Sequence, residues 1–269
     1  MKAQVTLTPP EAKRLVARAV AEHEKVKHAL REGIIAISLG TTNAYVVEEL
    51  LKIKLEKGRY LAGFVDAQGT CVVPPKLRLG DVVIERGRRV KESVSSAVKR
   101  MGHGDVLIKG ANALDARGIA GVMLASDVGG TIAEVYGIAK ARGIDILVPV
   151  TLEKFIPGSI AELSKETGIQ VISRSTGIPV GLFPVAGEVI TEIEAFRLLF
   201  GVEALAMGAG GLGGGEGSVT FLLRGEPGSV ARAFKAVQEI KGEPPVKPSR
   251  GRCSECDYTQ CPRARVANS

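Results

Sequence analysis

IIAISLGTTNAYVVEELL, residues 34–51, joins two kinds of pattern through a polar loop. Ile34 to Leu39 is a nearly unbroken apolar run of the length of a strand, the mark of a strand buried on both faces. Gly40-Thr41-Thr42-Asn43 then interrupts it, and a helical pattern runs on to about Lys54. A strand that empties through a short loop into a helix is the opening half of a βαβ unit. It predicts an α/β fold with a mostly parallel sheet and helices on both faces.

The flanking sequence repeats that alternation. Pro9-Pro10 precede a long amphipathic stretch in which Leu15, Ala19, Val26 and Leu30 recur at helical spacing until Gly33, and one helix is expected there. Downstream, GDVVIERG, DVLIKGA, GIAGVMLA, IDILVPV and IQVISR read as strands. VKESVSSAVKRM, GGTIAEVYGIAKARG and PGSIAELSKETG read as the helices between them. GRYLAGFVDAQGTCVVPP reads as short strands around a turn. Residues 1–185 are therefore expected to form the main α/β domain. Residues 186–242 carry a helix, two strands and a helix, and read as a small α+β lobe. Residues 243–269 form a basic, Pro-rich tail containing Cys253, Cys256 and Cys261.

Hydrophobic residues make up 45% of the 269, enough for a large core, while Trp is absent and packing must rest on aliphatic side chains. The formal charge of +7 favours anionic partners without choosing among them. No apolar run is long enough to span a membrane, and the first residues show no leader pattern, so a cytoplasmic protein is expected. Four cysteines in a chain of this length do not suggest a disulfide framework. His23, His28 and His103 are expected at the surface.

Loops at the C-terminal ends of parallel strands line the ligand crevice of open α/β sheets. In the first such loop, the amides of Thr41, Thr42 and Asn43 fall at a helix start, where they lack intrahelical partners and sit at the positive end of the helix dipole. With Gly40 allowing a turn and two hydroxyls nearby, the loop suits a phosphate or carboxylate. The alternative is plain capping of the helix by Thr or Asn. The Walker spacing is absent. Three further strand ends supply Lys109, Asn112 and Asp115, then Gly129 and Gly130 with Glu134 one turn on, and finally Lys154. Parallel neighbours would open all four loops on one side and gather these residues around one cleft.

In order, LGTTNAYVVEEL, DVLIKGANALD, GGTIAE, ILVPVTLEKF and IPVGLFPVAGEVI resemble the superfamily of ribose-phosphate isomerase, sugar-phosphate deaminases, CoA transferases and DeoR-type sugar sensors. The stretch from GANALD to TLEKF also looks like the regulatory subunits of the initiation-factor exchange complex and their methylthioribose-phosphate isomerase relatives. The resemblance covers roughly residues 10–190. It implies an anion held at Gly40, Thr41 and Thr42, with polar contacts from residues 109–115, a carboxylate from the 129–134 helix start and a lysine at 154. In an isomerase of this kind Glu134 would be the base, and Lys154 or Lys109 would stabilise the enediolate. The second loop departs from the isomerase's D-G-A-D, reading Lys109-Gly110-Ala111-Asn112.

Two segments stand apart. MGAGGLGGGEGS holds a formal G-x-G-x-x-G but is followed by a strand pattern, SVTFLLRG, so it reads as a hairpin and not as a dinucleotide loop. The tail's C-x2-C-x4-C spacing suits zinc or an iron–sulfur cluster. Arg252, Arg263 and Arg265 would favour the thiolates, and Cys71 or Asp257 is a candidate fourth ligand. The expected function is binding of a small anionic metabolite, a sugar phosphate, nucleotide or CoA-type ligand. The alternatives are a sugar-phosphate isomerase and a regulatory or RNA-associated protein. A homo-oligomer is expected, and nucleic acid is disfavoured because Tyr258 is the tail's single aromatic.

Overall fold

The computed structural model describes residues 1–258 and 260–264. Its strands are β1 (Lys2–Leu7), β2 (Ile34–Ile37), β3 (Gly63–Asp66), β4 (Gly69–Val72), β5 (Val82–Glu85), β6 (Arg88–Val90), β7 (Val106–Ile108), β8 (Ala113–Leu114), β9 (Ala120–Leu124), β10 (Asp145–Pro149), β11 (Gly181–Val185), β12 (Glu188–Ile190), β13 (Glu203–Gly210) and β14 (Ser218–Arg224). The helices are α1 (Pro9–Glu22), α2 (Glu24–Glu32), α3 (Thr41–Leu51), α4 (Val94–Ala97), α5 (Gly130–Ala141), α6 (Ile160–Glu166), α7 (Glu192–Phe200) and α8 (Pro227–Ile240).

The expected α/β architecture is present. The central sheet runs β12-β10-β7-β2-β5-β6, parallel from β12 to β2 and antiparallel from there to β6. β2 and β7, at its centre, are apolar throughout because alternate residues enter opposite cores. Ile35, Ile37, Val106, Ile108 and Leu147 pack under α1, α3, α7 and α8. Ala36, Leu107, Ile146 and Val148 pack under α4 and α5 on the other face.

Several boundaries differ from expectation. The first long helix is two, broken at His23, whose backbone is extended and whose Nδ1 accepts the Lys25 amide at 3.3 Å. His23 is buried and not at the surface, with Nε2 3.1 Å from Glu188. The helix expected in VKESVSSAVKRM contracts to α4, and IQVISR is turn and bend rather than strand. A break in packing does not follow residue 185. β12 joins the central sheet, β1 pairs with β14, and one core runs from Val5 to Ile240. The glycine-rich segment is the turn of the β13–β14 hairpin, as its flanking pattern predicts.

α1 also organises a buried ion cluster. The Arg14 guanidinium donates to Glu48 at 2.6 Å, Glu49 at 2.9 Å and Glu243 at 3.0 Å. Lys57 donates to Glu48 at 3.0 Å, and both cations lie 4.7 Å from the ring centre of Tyr45. Among the described residues, no helix is long and apolar enough to cross a membrane.

Candidate functional site

The loops after β2, β7 and β10 do open on one side of the sheet. With the start of α5, the β3–β4 hairpin and Tyr258 from the tail, they enclose a cleft of about 230 Å³. Gly40, Thr41, Thr42, Lys109, Asn112, Gly129, Gly130 and Lys154 all border it, so eight of the residues expected there are brought together.

The start of α3 has no side-chain cap. Gly40 is extended, with φ 167°, and an added Cβ would make only ordinary contacts, so no strained turn is involved. Thr42 is 2% exposed and its Oγ1 has no hydrogen-bond partner among the described residues, although the residue borders the cleft. An orphaned buried hydroxyl is costly unless a further group satisfies it. At the α5 start, Gly129 has φ +75°, and an added Cβ would sit 2.7 Å from the Cβ of Ala133, so this glycine is required.

Lys109 donates to the Gly110 carbonyl at 3.2 Å and Lys154 to the Ala111 carbonyl at 2.8 Å. Each is half-buried and borders the cleft. Burial lowers the Lys109 ammonium to about 8, with Asp81 opposing the shift. Burial likewise lowers Lys154 to about 8, assisted by the cations of Lys13 and Lys109. A third cation, Arg78, lines the cleft and donates to the Val73 carbonyl at 2.6 Å, and burial lowers its pKa too. Among the described residues none of these three forms a salt bridge, and the cleft lining contains no Asp or Glu. Apolar side chains, including Phe64, Val72, Val122 and Leu124, complete the walls.

Three expected residues lie elsewhere. Asn43 is fully buried, and its Nδ2 donates to the Ser38 carbonyl at 2.8 Å and the Ile108 carbonyl at 3.3 Å, so it ties β2 to β7 below the cleft. Asp115 is buried too and accepts the amides of Arg117, Ile119 and Ile160, which pins the β8–β9 turn to α6. Glu134 is exposed and accepts a hydrogen bond from Ser95, outside the cleft lining. Sequence reading missed Arg78 and Asp81. Arg78 lies in KLRLGD, where no periodic pattern marks it, and only the fold of the hairpin delivers it to the cleft.

The metal expectation is corrected. All four cysteines are free and border a small cavity between the tail and the hairpin, with Cys261 buried against Ile178. Bordering one cavity is a weaker condition than convergence on one point. Among the described residues no three His, Cys, Asp or Glu side chains are placed to hold a metal ion. Neither zinc nor an iron–sulfur cluster therefore fits Cys253, Cys256 and Cys261. Burial pushes the Cys71 thiol up, against the ligand form, with Arg250 only partly opposing it. The tail is instead held by Arg250 to Asp66, by Arg263 to Gln68, and by Lys76 to Glu255 at 3.0 Å. Arg265 lies outside the described residues.

No family model, curated protein or solved structure matches the chain. The isomerase identity implied by the resemblance therefore finds no support, and the geometry of the cleft has to carry the functional reading alone.

Proposed function

We propose that the chain binds a small anionic metabolite, through its phosphate or carboxylate end, at the C-terminal ends of β2, β7 and β10. The observation that carries this reading is the cleft's charge: Arg78, Lys109 and Lys154 line it, none is paired, and no acid lines it. All three are half-buried; an unpaired cation drawn partly out of water is costly, and an anion that brings its own charge offsets that cost. The uncapped start of α3 and the orphaned Thr42 hydroxyl add donors suited to the same group. The apolar walls fit a ligand with a carbon skeleton, as in a sugar phosphate, nucleotide or CoA-type molecule.

The test is a thermal-shift titration with inorganic phosphate, ribose 5-phosphate, nucleotides and CoA esters. A ligand that binds the folded state alone raises Tm by mass action. Lys109→Met is expected to weaken binding by roughly 10- to 100-fold, the value of a charge-assisted hydrogen bond, and Thr42→Val by about 3-fold. No shift with any anion would overturn the reading.

A further inference from the structure

Lys154 differs from an anion-binding lysine in its surroundings. Its Nζ is held to one backbone carbonyl, Ala111 O at 2.8 Å, and has no carboxylate within salt-bridge distance among the described residues. Behind it lies a compact set of ionisable groups. Lys13 pairs with Glu153, Glu153 also accepts from Thr151 at 3.1 Å, and Glu192 accepts the Leu152 amide at 2.9 Å. Glu192 is completely buried, and burial raises its carboxyl to about 7. Lys109 supplies a second ammonium on the same cleft. A desolvated lysine beside other cations is the setting in which an amine acts as a nucleophile near neutral pH.

Resting on the anion-binding reading, we infer that Lys154 forms an imine with a small aldehyde or ketone whose phosphate or carboxylate is held by Lys109, Arg78 and the α3 start. The lone pair of the neutral Nζ forms the N–C bond as the C=O π bond opens, and one of the two Nζ protons passes to the oxygen to give a carbinolamine. The hydroxyl then leaves with the remaining N–H proton as one water, and the C=N bond closes. No oxidation state changes. Glu153 and Glu192 are the acids whose charges act on Lys154, and they would relay those protons. At pH 7 an amine with this pKa is about one-tenth neutral, against a few parts in ten thousand for an ordinary lysine.

The experiment is reductive trapping of the full chain with cyanoborohydride at pH 7. The probes are glyoxylate, pyruvate, dihydroxyacetone phosphate and, as an uncharged comparison, glyceraldehyde, followed by peptide mass mapping. The expected result is an adduct at Lys154 at least 10-fold above that at exposed Lys165, suppressed by excess inorganic phosphate and absent in Lys154→Arg. If that variant does not fold, the wild-type map and the phosphate competition decide. Equal labelling of Lys154 and Lys165, no adduct, or labelling indifferent to phosphate would overturn the inference. A phosphate-induced Tm rise without an adduct would remove the imine and leave the anion site standing. No Tm rise would remove both.

Discussion

Half-buried cations are treated in two ways within this molecule. Around Arg14 the chain supplies its own acids: Glu48, Glu49 and Glu243 each meet the guanidinium, and Lys57 shares Glu48. Burial opposes that charge, but the hydrogen bonds that Arg14 donates to Glu243 and Glu48 hold its pKa above the ordinary value. Across the sheet's C-terminal edge, Lys109 and Lys154 have only carbonyls and are held well below theirs. The first cluster joins α1, α3 and the chain after α8, and completes the structure. In the second, the chain supplies carbonyl oxygens and, among the described residues, no carboxylate within salt-bridge distance.

The largest expected effect breaks the paired cluster. Arg14→Met removes the guanidinium that three carboxylates share and should cost about 3 kcal/mol in urea denaturation. Lys109→Met removes a charge that folding had to desolvate, and should leave stability equal or higher. Equal losses in the two variants would erase the distinction.

A pH titration of stability sharpens it. The unfolded chain holds the Lys109 and Lys154 protons to about 10.5, while the folded chain releases them near 8. Over that window the unfolded state binds more protons, so stability rises with pH. Glu192 acts in the opposite sense. Its folded carboxyl keeps a proton to about 7 against 4.5 unfolded, so its contribution falls as pH rises through that range. These three groups together place a shallow minimum between about 7 and 8. Lys109→Met should flatten the alkaline limb and Glu192→Gln the acid limb. A flat wild-type profile would contradict the assignment.

The smallest expected effect concerns Glu134, exposed and bonded to Ser95. Glu134→Gln should change stability by less than about 0.5 kcal/mol and leave phosphate affinity as it was. A lost Tm shift would return this residue to the site.

The sequence made the sheet legible because strands buried on both faces are apolar without interruption, as in Ile34–Ile37 and Val106–Ile108. The strand-end loops were legible for the same reason, since each follows where such a run stops. Side-chain direction was not. Asn43 sits one turn into a polar helix start, yet its amide points inward because two strand-end carbonyls need donors. Asp115 looked like a cleft acid, but three nearby amides claim it. Arg78 was invisible because its place depends on how a hairpin folds over the sheet, a long-range fact without local periodicity. The cysteine spacing suggested a metal because spacing fixes separation along the chain and not convergence in space.

The pairing of β1 with β14 has a consequence for how the chain is made. Lys2 meets Arg224 and Leu7 meets Val219, so the first strand has no partner until residues 219–224 have been made. At about 5–20 residues per second, the ribosome leaves that strand waiting roughly ten to forty seconds. α1, which packs against α7 as well as α3, waits for part of its contacts over nearly the same interval. The parallel strands β2, β7 and β10 become available in order during that delay, so the cleft's framework can assemble before the sheet that closes the first strand to the last.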